Sequence, residues 1–206
     1  MKTRLLLPFI LGFVCIALLG SSCSRLSKQI ELPSLPVFDT IPDDKTLPLI
    51  RIMRENEGYP SVDSVNAWLA FVGLPPGNPF CAAAQSAWLH QAGVESPLLR
   101  TGLAMNYYFK TPTSKHISAR YVLDGVITVP VGSLVVWNRG DTRFGHIGAN
   151  TEKWKGRTGI YISANTSPPG GSEGSGGGVF EKPAHIIPEN YMRIRIFIRV
   201  NHGYRR

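Results

Sequence analysis

The sequence predicts an α+β domain in which N-terminal helices pack on an antiparallel β-sheet. Three observations predict it. Three helical stretches closed by glycines lie between residues 47 and 93. From residue 131 the chain turns to short runs of β-branched and aromatic residues. The last of these runs alternates between apolar and charged residues, and helices followed by strands is the α+β order.

Before that domain come two other segments. Residues 1–23 have the layout of a targeting segment: Lys2 and Arg4, the apolar run "LLLPFILGFVCIALLG", then the small residues "SSC". Pro8 and the shortness of the run argue against a lasting membrane helix, which needs about 20 apolar residues. An anchor helix is the alternative. The end "LLGSSCS" resembles the lipobox of bacterial lipoproteins, which makes Cys23 the lipidated first residue of an exported, membrane-anchored protein. Gly20 stands where that pattern usually has leucine, and a secretory signal cut near Ser22 is the second choice. Residues 24–45 carry three prolines and no helical period, so they read as a tether. The domain is then 46–206.

Within the domain, helices are expected over Leu47–Glu57 and Val62–Val72, closed by Gly58 and Gly73. A third helix is expected over Pro79–Ala92, in "NPFCAAAQSAWLHQAG", with Asn78 as N-cap, Pro79 in the first position and Gly93 at the end. A short helix over Gly102–Phe109 follows. Strands are expected in "SLVVWN", "HIGANTEKW", "TGIYISAN" and "MRIRIFIRV". In the last, Ile194, Ile196, Ile198 and Val200 should face the core while Arg193, Arg195 and Arg199 face solvent. The loop "SPPGGSEGSGGGV" has no Gly-Lys-Ser/Thr and is not a phosphate loop. It reads either as a flexible connection or as the border of a cleft.

Cysteine usage narrows the chemistry. Cys15 lies in the targeting segment and Cys23 at its end, so Cys81 stands alone in the domain. It has no disulfide partner there, and a structural zinc site wants several cysteines or histidines at short spacing. Cys81 is therefore either a buried inert thiol or a nucleophile. Its place in the first turn of an alanine-rich helix is where a nucleophile benefits most, and both readings stay open. Free N–H groups and the helix dipole there favour a thiolate and are expected to lower the thiol pKa. The same groups suit an oxyanion.

A cysteine nucleophile needs an imidazole held by a third polar group. Of the five histidines, His90 is too far along the helix of Cys81. His116, His185 and His202 lack obvious support. His146 opens a strand in "RFGHIGAN". Taking Lys155 and Gly156 as a two-residue turn pairs Trp154 with Arg157, Ile147 with Ala164, and His146 with Asn165. Ile147 and Ala149 then share a face with Ile160, Ile162 and Ala164, whereas a one-residue slip mixes the faces.

The blocks "NPFCAAAQSAWLHQAG", "PVGSLVVWNRGDTRFGHIGAN" and "ISANTSPPGGS", in this order from about residue 50 to about 187, resemble the CHAP family and its NlpC-like relatives. These are papain-like cysteine amidases and endopeptidases that act on peptidoglycan. The resemblance implies a papain-like fold, with Cys81 as nucleophile, His146 as general base and Asn165 orienting the imidazole. It implies acyl transfer on amide bonds of peptidoglycan, as an N-acetylmuramoyl-L-alanine amidase or an endopeptidase, with stem peptides as partners and no metal or cofactor. Many relatives carry an acid two residues before that asparagine; here the residue is Ser163. That departure supports the alternative, a catalytically weak or inactive lipoprotein that binds wall peptides or a protein partner. The net charge of +8 also suits nucleic acid, but no recognised nucleic-acid motif accompanies it and no nucleic acid is expected as a partner.

Overall fold

The computed structural model describes residues 47–94, 100–171 and 176–201, all within the compact unit Phe38–Arg206. The targeting segment, Cys23, the tether and His202 lie outside the described residues. Among the described residues no helix is long and apolar enough to cross a membrane.

Four helices come first: α1 (Pro48–Glu55), α2 (Val62–Phe71), α3 (Cys81–Gln91) and α4 (Ala104–Lys110). Pro48 starts α1 where its missing N–H removes no helical hydrogen bond. Ser61 caps α2 by accepting from the Ser64 N–H. Both α2 and α3 end as the glycines foretold. Gly73 takes φ 75 and Gly93 φ 63, conformations that a side chain resists. The Leu74 and Val94 N–H groups then reach back to the carbonyls of Leu69 and Leu89.

Six strands form one antiparallel sheet: β1 (His116–Ser118), β2 (Leu134–Arg139), β3 (Gly145–Asn150), β4 (Thr158–Thr166), β5 (Gly178–His185) and β6 (Met192–Ile198). Their order is β1-β6-β2-β3-β4-β5. A short helix, α5 (Ala119–Leu123), follows β1. The α+β architecture and the antiparallel sheet are as the sequence predicts. The short elements β1 and α5 and the strand β5 had no counterpart in that reading. Pro183 demotes β5 as a strand in the sequence, yet β5 lies at the sheet edge, where a missing N–H is tolerated.

Both faces of the sheet are covered. On one, α3 packs against β3 and β4, and its residues from Cys81 to Leu89 are all buried. Ala82, Ala83, Ala84 and Ala87 let its backbone approach Ile147, Ala149, Ile162 and Ala164. On the other face Trp137, Trp154, Tyr161 and Phe197 form a second cluster with Ile117 and Val122. This arrangement corrects the expectation for the last strand. Arg195 is the extra residue of a bulge in β6, between Ile194 opposite Trp137 and Ile196 opposite Val136. The bulge moves Ile194 to the second cluster, while Ile196 and Ile198 stay with the helices.

Candidate active site

Helix α3 begins two residues later than predicted. Asn78 does not cap it. Its side-chain amide donates to the Pro75 carbonyl, closing a turn whose neighbour Gly77 has φ 85. Phe80 stands at the cap with φ -111 and ψ 7, and Cys81 becomes the first helical residue. The sulfur therefore meets the unbonded N–H groups of the helix start. The backbone N–H groups of Ala82, Ile147 and Cys81 all lie within bonding reach of it.

The Ile147 contact has a reason in the sheet. The Thr151 N–H bonds the Ile160 carbonyl, so every second N–H back along β3, including that of Ile147, points toward β4. The β3–β4 ladder pairs Ala149 with Ile162 and Asn150 with Tyr161, and goes no further toward His146. At Asn165 the strand β4 bulges, with φ 55. The two strands part there, and the Ile147 N–H turns to the Cys81 sulfur instead of to Ala164.

The observed pairing of Ala149 with Ile162 has the predicted parity, but the predicted pair of Ile147 with Ala164 is not formed. Two further details differ. Trp154 bridges Val129, not Arg157, with Gly156 at φ 83 in the connection. His146 and Asn165 do not form a ladder pair, because the bulge has turned Asn165 out of register. Asn165 instead lines a pocket of about 430 Å³ together with Cys81, Gly145, Leu74, Phe144 and Met192. Arg100 and Arg139 also border that pocket.

His146 stands elsewhere. It pairs with Trp137 across β2 and β3, and the two rings lie 5.3 Å apart on the face of the second cluster. Ile147, its neighbour, faces α3. The imidazole thus faces away from α3, whereas the Cys81 sulfur, on α3, meets the backbone of the next residue of β3, Ile147, from the helix side. No hydrogen bond joins ring and sulfur. The imidazole Nε2 is 2.9 Å from Ser163 Oγ, a fully buried hydroxyl. Ser163, two residues before Asn165, holds the Nε2 position.

Burial governs both titratable groups. It pushes the Cys81 thiol up from 9.0 to about 11, and the surrounding N–H groups only partly oppose it. The sequence-based expectation of a lowered thiol pKa is therefore reversed: desolvation outweighs the helix end. Burial, aided by the Lys182 ammonium, brings His146 down from 6.5 to about 3. At neutral pH the pair is a neutral thiol and a neutral imidazole. Burial also raises the Tyr107 hydroxyl, which bonds Ser86 at 2.7 Å and feels the charge of a Cys81 thiolate.

Lys182 escaped notice in the sequence because its strand did. It is 4% exposed and donates to the Ser167 carbonyl at 3.1 Å. The signal was a lysine flanked by "VFE" and "PAH", hidden by the proline. His90, His116 and His185 stay outside the site: His90 lies against Phe71, His116 stacks on Tyr108, and His185 bonds Thr158 on the surface. Among the described residues no group of three or more His, Cys, Asp or Glu side chains is placed to hold a metal ion. No protein-family model matches the chain, and no curated protein or solved structure matches it.

Proposed function

We propose that the chain is an exported cysteine amidohydrolase or peptidase of papain-like fold, acting on amide bonds of peptidoglycan from a lipid anchor at Cys23. The observation that carries this reading is the setting of the Cys81 sulfur. It sits at the first residue of α3, ringed by three backbone N–H donors, at the wall of a pocket. Such donors stabilise negative charge on sulfur, and then on the oxygen of a carbonyl that the sulfur attacks.

In the reaction His146 takes the Cys81 proton as the sulfur bonds the amide carbon. Ser163 occupies Nε2, so Nδ1 is the accepting nitrogen. The C–N bond breaks, the amine leaves with the proton from the imidazolium, and the acyl group stays on sulfur. Water attacks the thioester, gives its proton to the imidazole, and the thiol re-forms. Asn165, at the pocket wall, orients the imidazole once the ring has moved to the sulfur, as the resemblance to CHAP and NlpC-like enzymes implies. The reaction needs the ring to reach the sulfur through the opening between β3 and β4. It uses general-base transfer, because neither group is charged at rest.

The separation of ring and thiol, and the thiol raised to about 11, favour a second reading: a wall-binding lipoprotein without turnover. Mass spectrometry of muropeptides separates the two. Peptidoglycan treated with the wild type should release products that Cys81→Ala does not. Product profiles identical to untreated wall in both samples would leave only the binding protein.

A further inference from the structure

We propose that the Cys81 pocket selects a peptide bearing a free carboxylate, and that Arg100 and Arg139 hold that carboxylate from two walls. The inference rests on the reading of this pocket as the substrate site. Arg100 comes from the segment that enters α4, and Arg139 from the end of β2 in the β2–β3 hairpin. Both are exposed, and among the described residues no aspartate or glutamate lines the pocket. Neither guanidinium forms an ion pair among the described residues, whereas Arg51, Arg54, Arg120 and Arg193 all do.

Each arginine is supported without its N–H edge being used up. The Arg100 guanidinium lies 4.5 Å over the Phe71 ring, a stacking contact that leaves its in-plane donors available. The Arg139 backbone N–H bonds the Phe144 carbonyl at 3.0 Å, which fixes the base of that side chain on the hairpin. Two arginines bordering one cleft, with Leu74, Phe144 and Met192 as its apolar wall, fit a short peptide with an anionic group.

The test is calorimetric titration of the full-length Cys81→Ala chain with two probes. One is a disaccharide-peptide fragment of peptidoglycan with free carboxylates, the other the same fragment with those groups converted to primary amides. The free-acid probe should bind about tenfold tighter, as two charge-assisted contacts predict, and Arg139→Gln should cut that preference to about twofold. Arg139→Lys should keep part of it, since charge survives but the fork is lost. Equal affinity for the two probes overturns the proposal, as does binding of neither, or a preference that persists when both arginines are glutamine. The probe comparison requires no arginine change, so a variant that misfolds does not blunt it. Turnover of whole wall by the wild type is scored separately. Turnover without probe preference removes the carboxylate clamp alone, and preference without turnover removes the hydrolase reading alone.

Discussion

Cys81 is expected to be a slow thiol in the resting protein. Burial holds it at about 11, against 9.0 for an unburied cysteine. Those two units lower the thiolate population about 100-fold relative to the unfolded chain near neutral pH. Only 6% of the residue is exposed, which slows a reagent further. The assay is alkylation by iodoacetamide, followed by peptide mass spectrometry because Cys15 and Cys23 are also in the chain. The native rate near neutral pH should be at least about 100-fold below the rate in denaturant, and should climb about tenfold per pH unit toward alkaline pH.

His146→Ala should change that rate by less than about twofold, since a resting thiolate–imidazolium pair is not expected. Its formation from groups at about 11 and about 3 is uphill by on the order of 10 kcal/mol. A native rate equal to the denatured one, or a plateau at neutral pH, refutes the burial reasoning. Loss of such a plateau in His146→Ala would show a preformed ion pair, and the resting geometry described above would be wrong.

Other consequences can be checked directly. His146 has a folded pKa of about 3 against 6.5, so the unfolded chain takes up the proton first and stability falls as pH drops below 6.5. About 2 kcal/mol should be lost by about pH 5, read from urea midpoints, and the slope should flatten in His146→Asn. Ser163→Ala removes the Nε2 partner and should reduce muropeptide release by about 10- to 100-fold through loss of ring position, while lowering stability by only about 1–2 kcal/mol. Unchanged release would remove Ser163 from the positioning of the ring. Glu181→Gln breaks the forked pair with Arg54, whose two contacts are each 2.9 Å, and should lower stability by about 1 kcal/mol, since the pair is part-exposed. In Gly145→Ala the new Cβ would overlap the Trp137 carbonyl oxygen, a backbone atom that cannot yield, so the urea midpoint should fall by the equivalent of about 2 kcal/mol or more.

Much of this fold was legible because its signals are local. The glycines that close α2 and α3 and the β-branched runs of β2, β4 and β6 each declare themselves within a few residues. The register of β3 on β4 followed from the parity of Ile147, Ala149 and Ile162. What stayed hidden depends on partners distant in sequence. The start of α3 shifted because Asn78 found a better bond at Pro75. The β6 bulge arises against β2, and no property of "MRIRIFIRV" alone forces it. The thiol pKa went the wrong way because a helix end is visible in a sequence and the depth of burial is not.

The location of His146 was implicit in that same parity. If Ile147 and Ala149 face the alanine-rich helix, His146 must face away from it, toward Trp137. An imidazole on that face meets a sulfur from the helix side only where the sheet is open. The β3–β4 ladder stops at Ala149, short of Asn165, which takes φ 55. Asparagine tolerates that conformation better than most side chains. The third residue of the expected constellation therefore stands where β4 leaves regular pairing with β3, next to the Ile147 N–H that reaches the sulfur. A regular strand at residue 165 would pair Ile147 with Ala164, close the opening and take one of the three donors from Cys81.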